Sequence, residues 1–292
     1  IVVALLGLMV SFFSASQDIV VDAYRREILA EKEFGAGSGL YVMGYRVAMV
    51  VSGAFAFILA DHMDWKHVYL IMAAVMSAGI ATTIFADEPK SQGAPPRTLK
   101  DAVVLPFVDY FSRSGSIAML IFMVLYKLDV AMTVAMTTPF MLGLGFTKTE
   151  IGTVSKFFGM IATIVGALLG GAWMARLGIE RSLWIFGIAQ ALSGFTYMAL
   201  AYAGHNYPVM VGAITIENLC SGMGIAAFSA FMLSLCNPRF SGTQYALLTS
   251  FMALSRYLAG AMSGFLVEAV GWQTYFYYAL WRVSRGLFYS PN

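Results

Sequence analysis

Charged side chains occur inside stretches of this sequence that are otherwise apolar. The stretch SASQDIVVDAYRRE, residues 14–27, follows an uninterrupted apolar run and carries Gln17, Asp18 and Asp22. A charge at the centre of a bilayer costs about 2.5–3.5 kcal/mol or more, so such residues normally face a polar cavity or pair with one another. The charges expected deep within predicted helices, away from their ends, are Asp18, Arg46, Lys127, Asp129, Lys156, Glu217 and Arg256. Together they predict a water-accessible cleft between helices, as a transport pathway requires.

Asp18 and Arg46 are expected to form an ion pair. Each lies 14 positions from a predicted turn near residue 32, which corresponds to about 21 Å of helix and places both at a similar depth. In the functional interpretation, Asp18 is a proton-coupling carboxylate opposed by Arg46. In the alternative, the pair only holds two helices together. Asp22 lies one turn beyond Asp18 on the same helix face and is expected to be hydrated.

Glu217 and Arg256 are the corresponding pair later in the chain. They lie 21 and 18 residues from a predicted turn near residue 238, so we expect both at one depth, lining the cleft or serving as structural polar residues. Asn218 and the stretch SGMG at 221–224 follow, and these small residues favour close helix packing. Lys127 is expected near the middle of the membrane.

The charges and aromatic residues near the cleft bear on the solute that it would accept. Four basic intramembrane residues outnumber three acidic ones, which favours an anionic solute. Tyr45 and Tyr126 stand beside polar positions and could stack on a sugar ring, although aromatic residues in membrane helices usually pack or anchor at interfaces. Lys156 could line the cleft or extend its ammonium group to the outer surface.

The composition predicts a helical membrane protein. Of 292 residues, 59% are hydrophobic and 12% charged, with a mean hydropathy of +0.74, whereas soluble domains carry about 25% charged residues. Membrane-spanning helices need about 20 mostly apolar residues. Nine are predicted, at about 1–29, 36–60, 66–86, 115–142, 149–175, 181–203, 207–236, 242–267 and from 270 to near the end.

The same sequence gives no support to several other classes of protein. It has no basic stripe typical of nucleic-acid binding, and its three histidines and two cysteines show no metal-ligand spacing. No nucleophile–base pair or HExxH motif supports an enzyme. The sequence therefore predicts a protein with no cofactor, no metal and no nucleic-acid partner.

Basic residues concentrate in alternate connections between the predicted helices. Lys66 and Lys148 are the only two on one side. The ten on the other side are Arg25, Arg26, Lys32, Lys90, Arg97, Lys100, Arg113, Arg176, Arg181 and Arg239. By the positive-inside rule, the second side is cytoplasmic and the chain starts toward the outside.

An internal repeat predicts the fold. EKEFGAG at 31–37 aligns with NPRFSGT at 237–243, and ADHMDWKHVY at 60–69 aligns with VEAVGWQTYF at 267–276, at offsets of 206 and 207. Parallel six-helix repeats form the two halves of major facilitator transporters. We therefore expect an all-α major facilitator fold that is truncated to helices 4–12 of 12.

This fold predicts three parts. Residues 1–86 would form the second half of the N-terminal six-helix bundle, 87–113 a cytoplasmic linker with a short interfacial helix, and 114–292 the C-terminal bundle with an atypical tail. The stretch GGAWMARLGIERSL at 170–183 also resembles the cytoplasmic-loop signature of these transporters, although Ala175 stands where an acid is usual.

Several motifs carry a more specific resemblance. They are SASQDIVVDA, GYRVAMVVSG at 44–53, LYKL at 125–128, IATIVGALLGG at 161–171, ENLCSGMG at 217–224 and SLCNPRFSGTQYALL at 234–248. In this order, over residues 1 to about 278, the chain closely resembles the anhydromuropeptide permease (AmpG-type) family. Asp129 comes one residue earlier than the family pattern Tyr-Lys-Leu-Gly-Asp, and the sequence after about 280, with Arg282 and Arg285, departs from it.

The resemblance implies a multi-pass permease of the bacterial inner membrane. Such a permease imports N-acetylglucosaminyl-anhydromuramyl peptides by proton symport for peptidoglycan recycling and β-lactamase induction. Asp18 and Arg46 are then expected to couple protons. The residues expected to bind substrate are Gln17, Tyr45, Tyr126, Lys127, Asp129, Glu217, Asn218 and Arg256. The alternatives are a transporter of another anionic solute, similar to the acetyl-coenzyme A transporters, and a sensor that binds muropeptide without moving it.

Overall fold

A computed structural model describes residues 2–89, 98 and 100–287, excepting the side chains of 129, 261 and 273–287. This part of the chain is helical. The helices are α1 (Val2–Ile28), α2 (Phe34–Val50), α3 (Ala56–Ala60), α4 (Trp65–Phe85), α5 (Leu105–Phe111), α6 (Ser116–Gly143), α7 (Lys148–Val154), α8 (Met160–Leu177), α9 (Ile179–Ala203), α10 (Tyr207–Leu235) and α11 (Ser241–Leu287). The wider turns Val51–Phe55 and Ser155–Gly159 join α2 to α3 and α7 to α8 without breaking the run of helix.

Seven stretches in the described residues are long and apolar enough to cross a membrane. They match the first seven predicted helices in order. The last two predicted helices correspond to α11, which is broken at Gly271, where φ is +74°. Glycine adopts this left-handed conformation without steric penalty, so the chain can turn there near the predicted boundary. Lys90 and Arg97 and the tail beyond 287 lie outside the described residues.

Helix boundaries recur at a constant spacing of 207 residues. The recurring pairs are the helix ends Ile28 and Leu235, the 3-10 turns Glu31–Glu33 and Pro238–Phe240, the helix starts Phe34 and Ser241, and Trp65 with Trp272. The helix boundaries therefore repeat along the chain, as the two short sequence matches predict. The matches have offsets of 206 and 207, and the structure gives a single spacing of 207. We refer below to residues before 90 as the first half and to residues after 113 as the second half.

The second half contains most of the core. Helix α10 packs against α8 and α9, and α6 packs against α11. Glycines make the α8–α10 crossing close: a methyl group at Gly166 would collide with the carbonyl of Leu219, and one at Gly222 with the carbonyl of Thr163. The packing role expected for SGMG is thus confirmed at Gly222.

The first half meets the second where α2 crosses α8 and α10 and where α1 crosses α11. Glycines lie at two of these crossings. Helix α2 packs against α8, where a methyl group on Gly39 would lie 2.7 Å from the carbonyl oxygen of Ala167. Helix α1 packs against α11, where one on Gly242 would lie 3.6 Å from Cβ of Ala23. Both crossings lie near the ends of the helices that the charge distribution assigns to the cytoplasm.

The linker contains the expected short helix, α5, and α5 is attached to the second half. Gln244, which is fully buried, donates to Asp109 (2.7 Å) and to the carbonyl of Pro106 (3.1 Å). Arg113 pairs with Asp109 and donates to the carbonyl of Leu235 (2.6 Å). Burial alone would raise the pKa of Asp109, but hydrogen bonds donated by Gln244 and Arg113, with the Arg113 charge, outweigh burial and lower it.

Candidate functional site

A buried polar cluster lies where the two halves meet. At its centre is Arg25, only 7% exposed, whose Nη1 donates to Oδ1 of Asp22 (3.0 Å). Its Nη2 donates to the hydroxyls of Ser38 (3.2 Å) and Ser229 (3.0 Å). The cluster, called the Arg25 cluster below, consists of Asp22, Arg25, Ser38, Tyr41, Ser229 and Tyr245.

The remaining two members are tyrosines that enclose the charge. The guanidinium carbon of Arg25 lies 3.9 Å from the ring centroid of Tyr41, a cation–π distance that is favourable when the cation is desolvated. The hydroxyl of Tyr245 lies 3.4 Å from that of Ser229. The cluster therefore joins α1 and α2 of the first half to α10 and α11 of the second.

Further bonds between the halves lie just beyond the cluster. Arg26 Nε donates to the carbonyl of Cys236 (2.9 Å), and the hydroxyl of Ser241 donates to Glu27 (2.6 Å). Together with the packing of Gly242 against α1, they keep the halves in contact at this end.

Asp18 lies at the outer edge of the cluster, on the exposed face of α1. It is close enough to Asp22 and Tyr41 to interact with both electrostatically. The predicted ion pair between Asp18 and Arg46 is wrong: among the described side chains, neither residue has an opposite charge within 4.0 Å. Helix counting places the two at one depth but does not fix which way each side chain points.

Asp22 also differs from the prediction. Its side chain is 14% exposed and bonded to Arg25, so it is not the hydrated residue that the sequence predicts. Arg25, which the sequence assigns to the cytoplasmic charge of a loop, instead lies in the last turns of α1 and points into the interface. The pair has i, i+3 spacing on one helix face.

The other predicted residues of the first half contact little of the described chain. Gln17 and Tyr45 are exposed. The Nη1 of Arg46 is 4.0 Å from the sulfur of Met49, and its Nε is buried with no hydrogen-bond partner in the part of the chain that the structure describes.

Lys127 and Tyr126 lie against Phe228 on α10. The ring of Tyr126 stacks on that of Phe228 at 5.1 Å, and the Lys127 ammonium is 4.6 Å from the centroid of the same Phe228 ring. Phe228 directly precedes Ser229, which accepts from Arg25. Lys127 and Arg25 therefore contact consecutive residues of α10, which point in different directions on a helix.

Glu217 lies in the interior of the second half. It is 5% exposed and accepts a 3.3 Å hydrogen bond from Nε2 of Gln190 on α9. The Oε1 of Gln190 is buried without a partner among the described residues. The expectation that Glu217 lines an open cleft is not met, because α9 covers it.

Asn218 is half-buried and bonded within the helices. Its side chain accepts from the hydroxyl of Thr163 (3.2 Å) and donates to the carbonyl of Ile214 (2.8 Å). Its amide is therefore occupied on both sides in this conformation.

Among the described side chains, neither Arg256 nor Lys156 forms an ion pair. Arg256 is exposed and lies 6.0 Å from the ring centroid of Tyr257; it does not pair with Glu217, although the sequence places both at one depth. Lys156 is exposed. Asp129 is on α6, and its side chain lies outside the described residues.

Sequence reasoning missed Arg25, Ser229 and Gln190. Gln190 is the one amide within the apolar stretch IFGIAQALSGF, and a polar residue in such a stretch is a signal that could have identified it. The i, i+3 spacing of Asp22 and Arg25 could have indicated a pair on α1. Nothing in the sequence around Ser229 distinguishes it from other small residues of α10.

The chain is similar in sequence to known membrane transport proteins. A model of the Major Facilitator Superfamily matches residues 2–256. The chain is 43% identical, over 286 residues, to the anhydromuropeptide permease of Escherichia coli strain K12; the match covers 97% of this chain and 58% of that protein. The chain thus spans a little over half the length of that relative.

Two further relatives are covered more completely. An uncharacterized protein of Haemophilus influenzae is 38% identical, with 98% of this chain and 70% of that protein covered. A protein of Rickettsia conorii named putative transporter AmpG 4 is 32% identical, with coverages of 97% and 70%.

A solved structure has a similar fold. It is a bacterial homologue of the iron transporter ferroportin in an outward-facing state, with a TM-score of 0.62 and 15% identity. The match covers 98% of this chain and 70% of that chain. At this identity the likeness concerns the fold alone.

Proposed function

Because this chain belongs to the major facilitator superfamily, and within it to the AmpG-type family, we propose that it is part of a transporter that imports anhydromuropeptides. Its family and its seven membrane-length helices make it a multi-pass membrane protein. The proposed substrate class is the N-acetylglucosaminyl-anhydromuramyl peptides, and the proposed location is the bacterial inner membrane. Peptidoglycan recycling and β-lactamase induction would then depend on the delivered product.

The observation that carries the proposal is the 43% identity to a protein named anhydromuropeptide permease, sustained over 97% of the chain. The position of the polar groups supports it. Asp18 is exposed at the edge of the Arg25 cluster, and Lys127 lies over the ring of Phe228, the residue before Ser229. We propose that this carboxylate and this cation face the solute on its way through the protein.

In the proposed mechanism, solute and proton enter from the outside while the cytoplasmic ends of the helices are in contact. Asp18 takes up the proton, and Arg46 on the adjacent helix is its proposed basic partner in coupling, although the two are not paired in this conformation. Lys127, Tyr126 and the exposed Tyr45 offer a cation and two aromatic faces, which suit the carboxylates and the sugar rings of a muropeptide. Gln17, Asn218, Arg256 and Asp129 remain candidates for substrate contact, whereas Glu217 is buried against Gln190.

The test is uptake of labelled anhydromuropeptide by the complete protein in proteoliposomes with an imposed proton gradient. Asp18→Asn keeps the size of the side chain but cannot bind and release a proton, so we expect concentrative uptake to be lost while counterflow exchange remains. Asp61→Asn, at an exposed position beyond α3, is the matched control. Normal proton-driven accumulation by Asp18→Asn would refute the coupling role.

The same assay separates the alternatives. A sensor would bind the muropeptide without exchanging it across the membrane. A transporter of another anionic solute would exchange that solute, such as acetyl-coenzyme A, and leave labelled muropeptide outside. Either result would refute muropeptide import.

A further inference from the structure

The Arg25 cluster contains residues at equivalent positions of the two halves. Asp22 and Ser229 are 207 positions apart, and so are Ser38 and Tyr245, the same spacing that relates the helix boundaries. All four are linked, directly or through Ser229, to Arg25. Arg25 therefore lies near the axis that relates the two halves.

The equivalence stops at Arg25 itself. The position 207 residues later is Met232, which is apolar and 4% exposed. One guanidinium group therefore serves both halves. Asp22 and Ser38 hold it from the first half, and its bond to Ser229 is the one that crosses to the second.

The cluster is enclosed between the two halves. Arg25, Ser38, Ser229 and Tyr245 are all less than 9% exposed. Just below them, Arg26 and Glu27 bond to residues of the second half. The Arg25–Ser229 bond is therefore one of the contacts that hold the two halves together at this end.

The cluster is extensively but incompletely bonded. Arg25 Nε is buried with no hydrogen-bond partner within the described ranges, and an unsatisfied buried donor weakens the state that contains it. A contact that has to open in each cycle needs such a limited stability, since two states must have similar free energies to interconvert.

We propose that Arg25 is the gating residue of this protein: held by Asp22 and Ser38, it keeps the cytoplasmic end closed by donating to Ser229. The proposal rests on the proposed function only in requiring that the halves separate at this end during transport. It adds a role to residues outside the predicted proton-coupling and substrate-binding sets. It concerns contact between the halves and does not depend on the identity of the solute.

A cysteine pair can report this contact. A Cβ atom added at Gly242 would lie 3.6 Å from Cβ of Ala23, which is the separation that a disulfide requires. The cysteine pair is therefore Ala23→Cys with Gly242→Cys. The pair is introduced into the complete protein, in membranes, with Cys220 and Cys236 replaced by Ala and Ser. Disulfide formation between α1 and α11 is followed with a mild oxidant and no substrate.

We expect the parent pair to cross-link rapidly and Arg25→Ala to lower the rate about ten-fold, the factor that corresponds to 1.4 kcal/mol. Ser229→Ala removes the acceptor in the second half and leaves Arg25 bonded to Asp22 and Ser38, so we expect a fall of several-fold. Arg239→Ala, which removes an exposed charge on the same side, should cross-link at the parent rate.

Parent-like cross-linking in both Arg25→Ala and Ser229→Ala would overturn the proposal. If Arg25→Ala does not accumulate in the membrane, Ser229→Ala alone decides between the two results. Because no substrate is present, failure of muropeptide uptake would leave this measurement intact, and failure here would leave the uptake assay intact.

Discussion

Helices α1 and α10 occupy equivalent positions in the two halves, yet their surroundings differ. Both are long and apolar enough to cross a membrane, but none of the most apolar 18 residues of α1 is buried within the described structure, whereas 67% of those of α10 are. Helix α10 is enclosed by α8 and α9, while α1 contacts α11 and, more weakly, α10. Apolar sequence places a helix in the membrane, but the helices packed around it decide which of its faces are buried.

The same contrast holds for acidic residues. Asp18 on α1 is exposed, while Glu217 on α10 is buried against Gln190. No described side chain covers the Asp18 carboxyl, whereas Glu217 is enclosed by neighbouring helices and stabilises the packing through its hydrogen bond. This difference makes Asp18 the better candidate for coupling and Glu217 the better candidate for stability.

The largest effect that would test the contrast comes from adding one methyl group in each half. Gly222→Ala should lower the free energy of unfolding by about 3 kcal/mol, because the added carbon collides with the carbonyl of Thr163. Gly79→Ala in α4, where nothing lies within 4 Å, should leave stability unchanged or raise it by up to about 1 kcal/mol. Thermal unfolding in detergent measures both, and equal losses would mean that the first half is packed as tightly as the second.

A second comparison removes one carboxyl group from each half. Glu217→Ala should destabilise the protein by about 2–3 kcal/mol, since it leaves Gln190 without its partner in a buried site. Asp18→Ala should change stability by less than about 0.5 kcal/mol, even though we expect it to abolish coupled uptake. Glu217→Gln, which keeps the hydrogen-bond acceptor, is the matched control and should remain close to the parent in unfolding measurements.

The smallest expected effect concerns the attachment of α5 to the second half. The pKa of Asp109 is lowered in the folded protein, so the ionised group contributes stability above its ordinary pKa of about 3.9, and this contribution is lost as the pH falls through the lower folded-state value. Amide exchange in α5 should therefore accelerate below about pH 4, while that in α4 follows only the intrinsic pH dependence. In Asp109→Asn this acid-induced change should disappear; its persistence would assign the effect to another group.

Much of the fold could be predicted from the sequence because its signals are local. Apolar runs of membrane length, Gly271 at a helix break and the recurring landmarks near 31–37 and 237–243 each reflect a property of a short segment. The short helix within the linker follows similarly from its composition. The motif NPRFSGTQ was recognisable as a family feature, but its use became clear only in three dimensions, where Gln244 holds α5 and Ser241 holds α1.

The candidate site was predictable only in part. Asp18, Lys127 and Glu217 could be identified as unusual because a charge among apolar residues is conspicuous. Their partners could not, because counting residues from a turn gives height along a helix and leaves rotation about its axis open. Equal height along the helices thus predicts a pair between Asp18 and Arg46. The ion pair that the structure shows on α1 is that of Asp22 with Arg25.

The sequence by itself determined that this protein is a helical membrane protein with a duplicated plan and that it resembles the AmpG-type permeases. It did so through composition, periodicity and motif order, which need no knowledge of distant contacts. Tertiary structure alone decided that Arg25 joins the two halves and that Gln190 covers Glu217. Those contacts connect residues 204 and 27 positions apart, and their free energy depends on burial that exists only once the helices have packed.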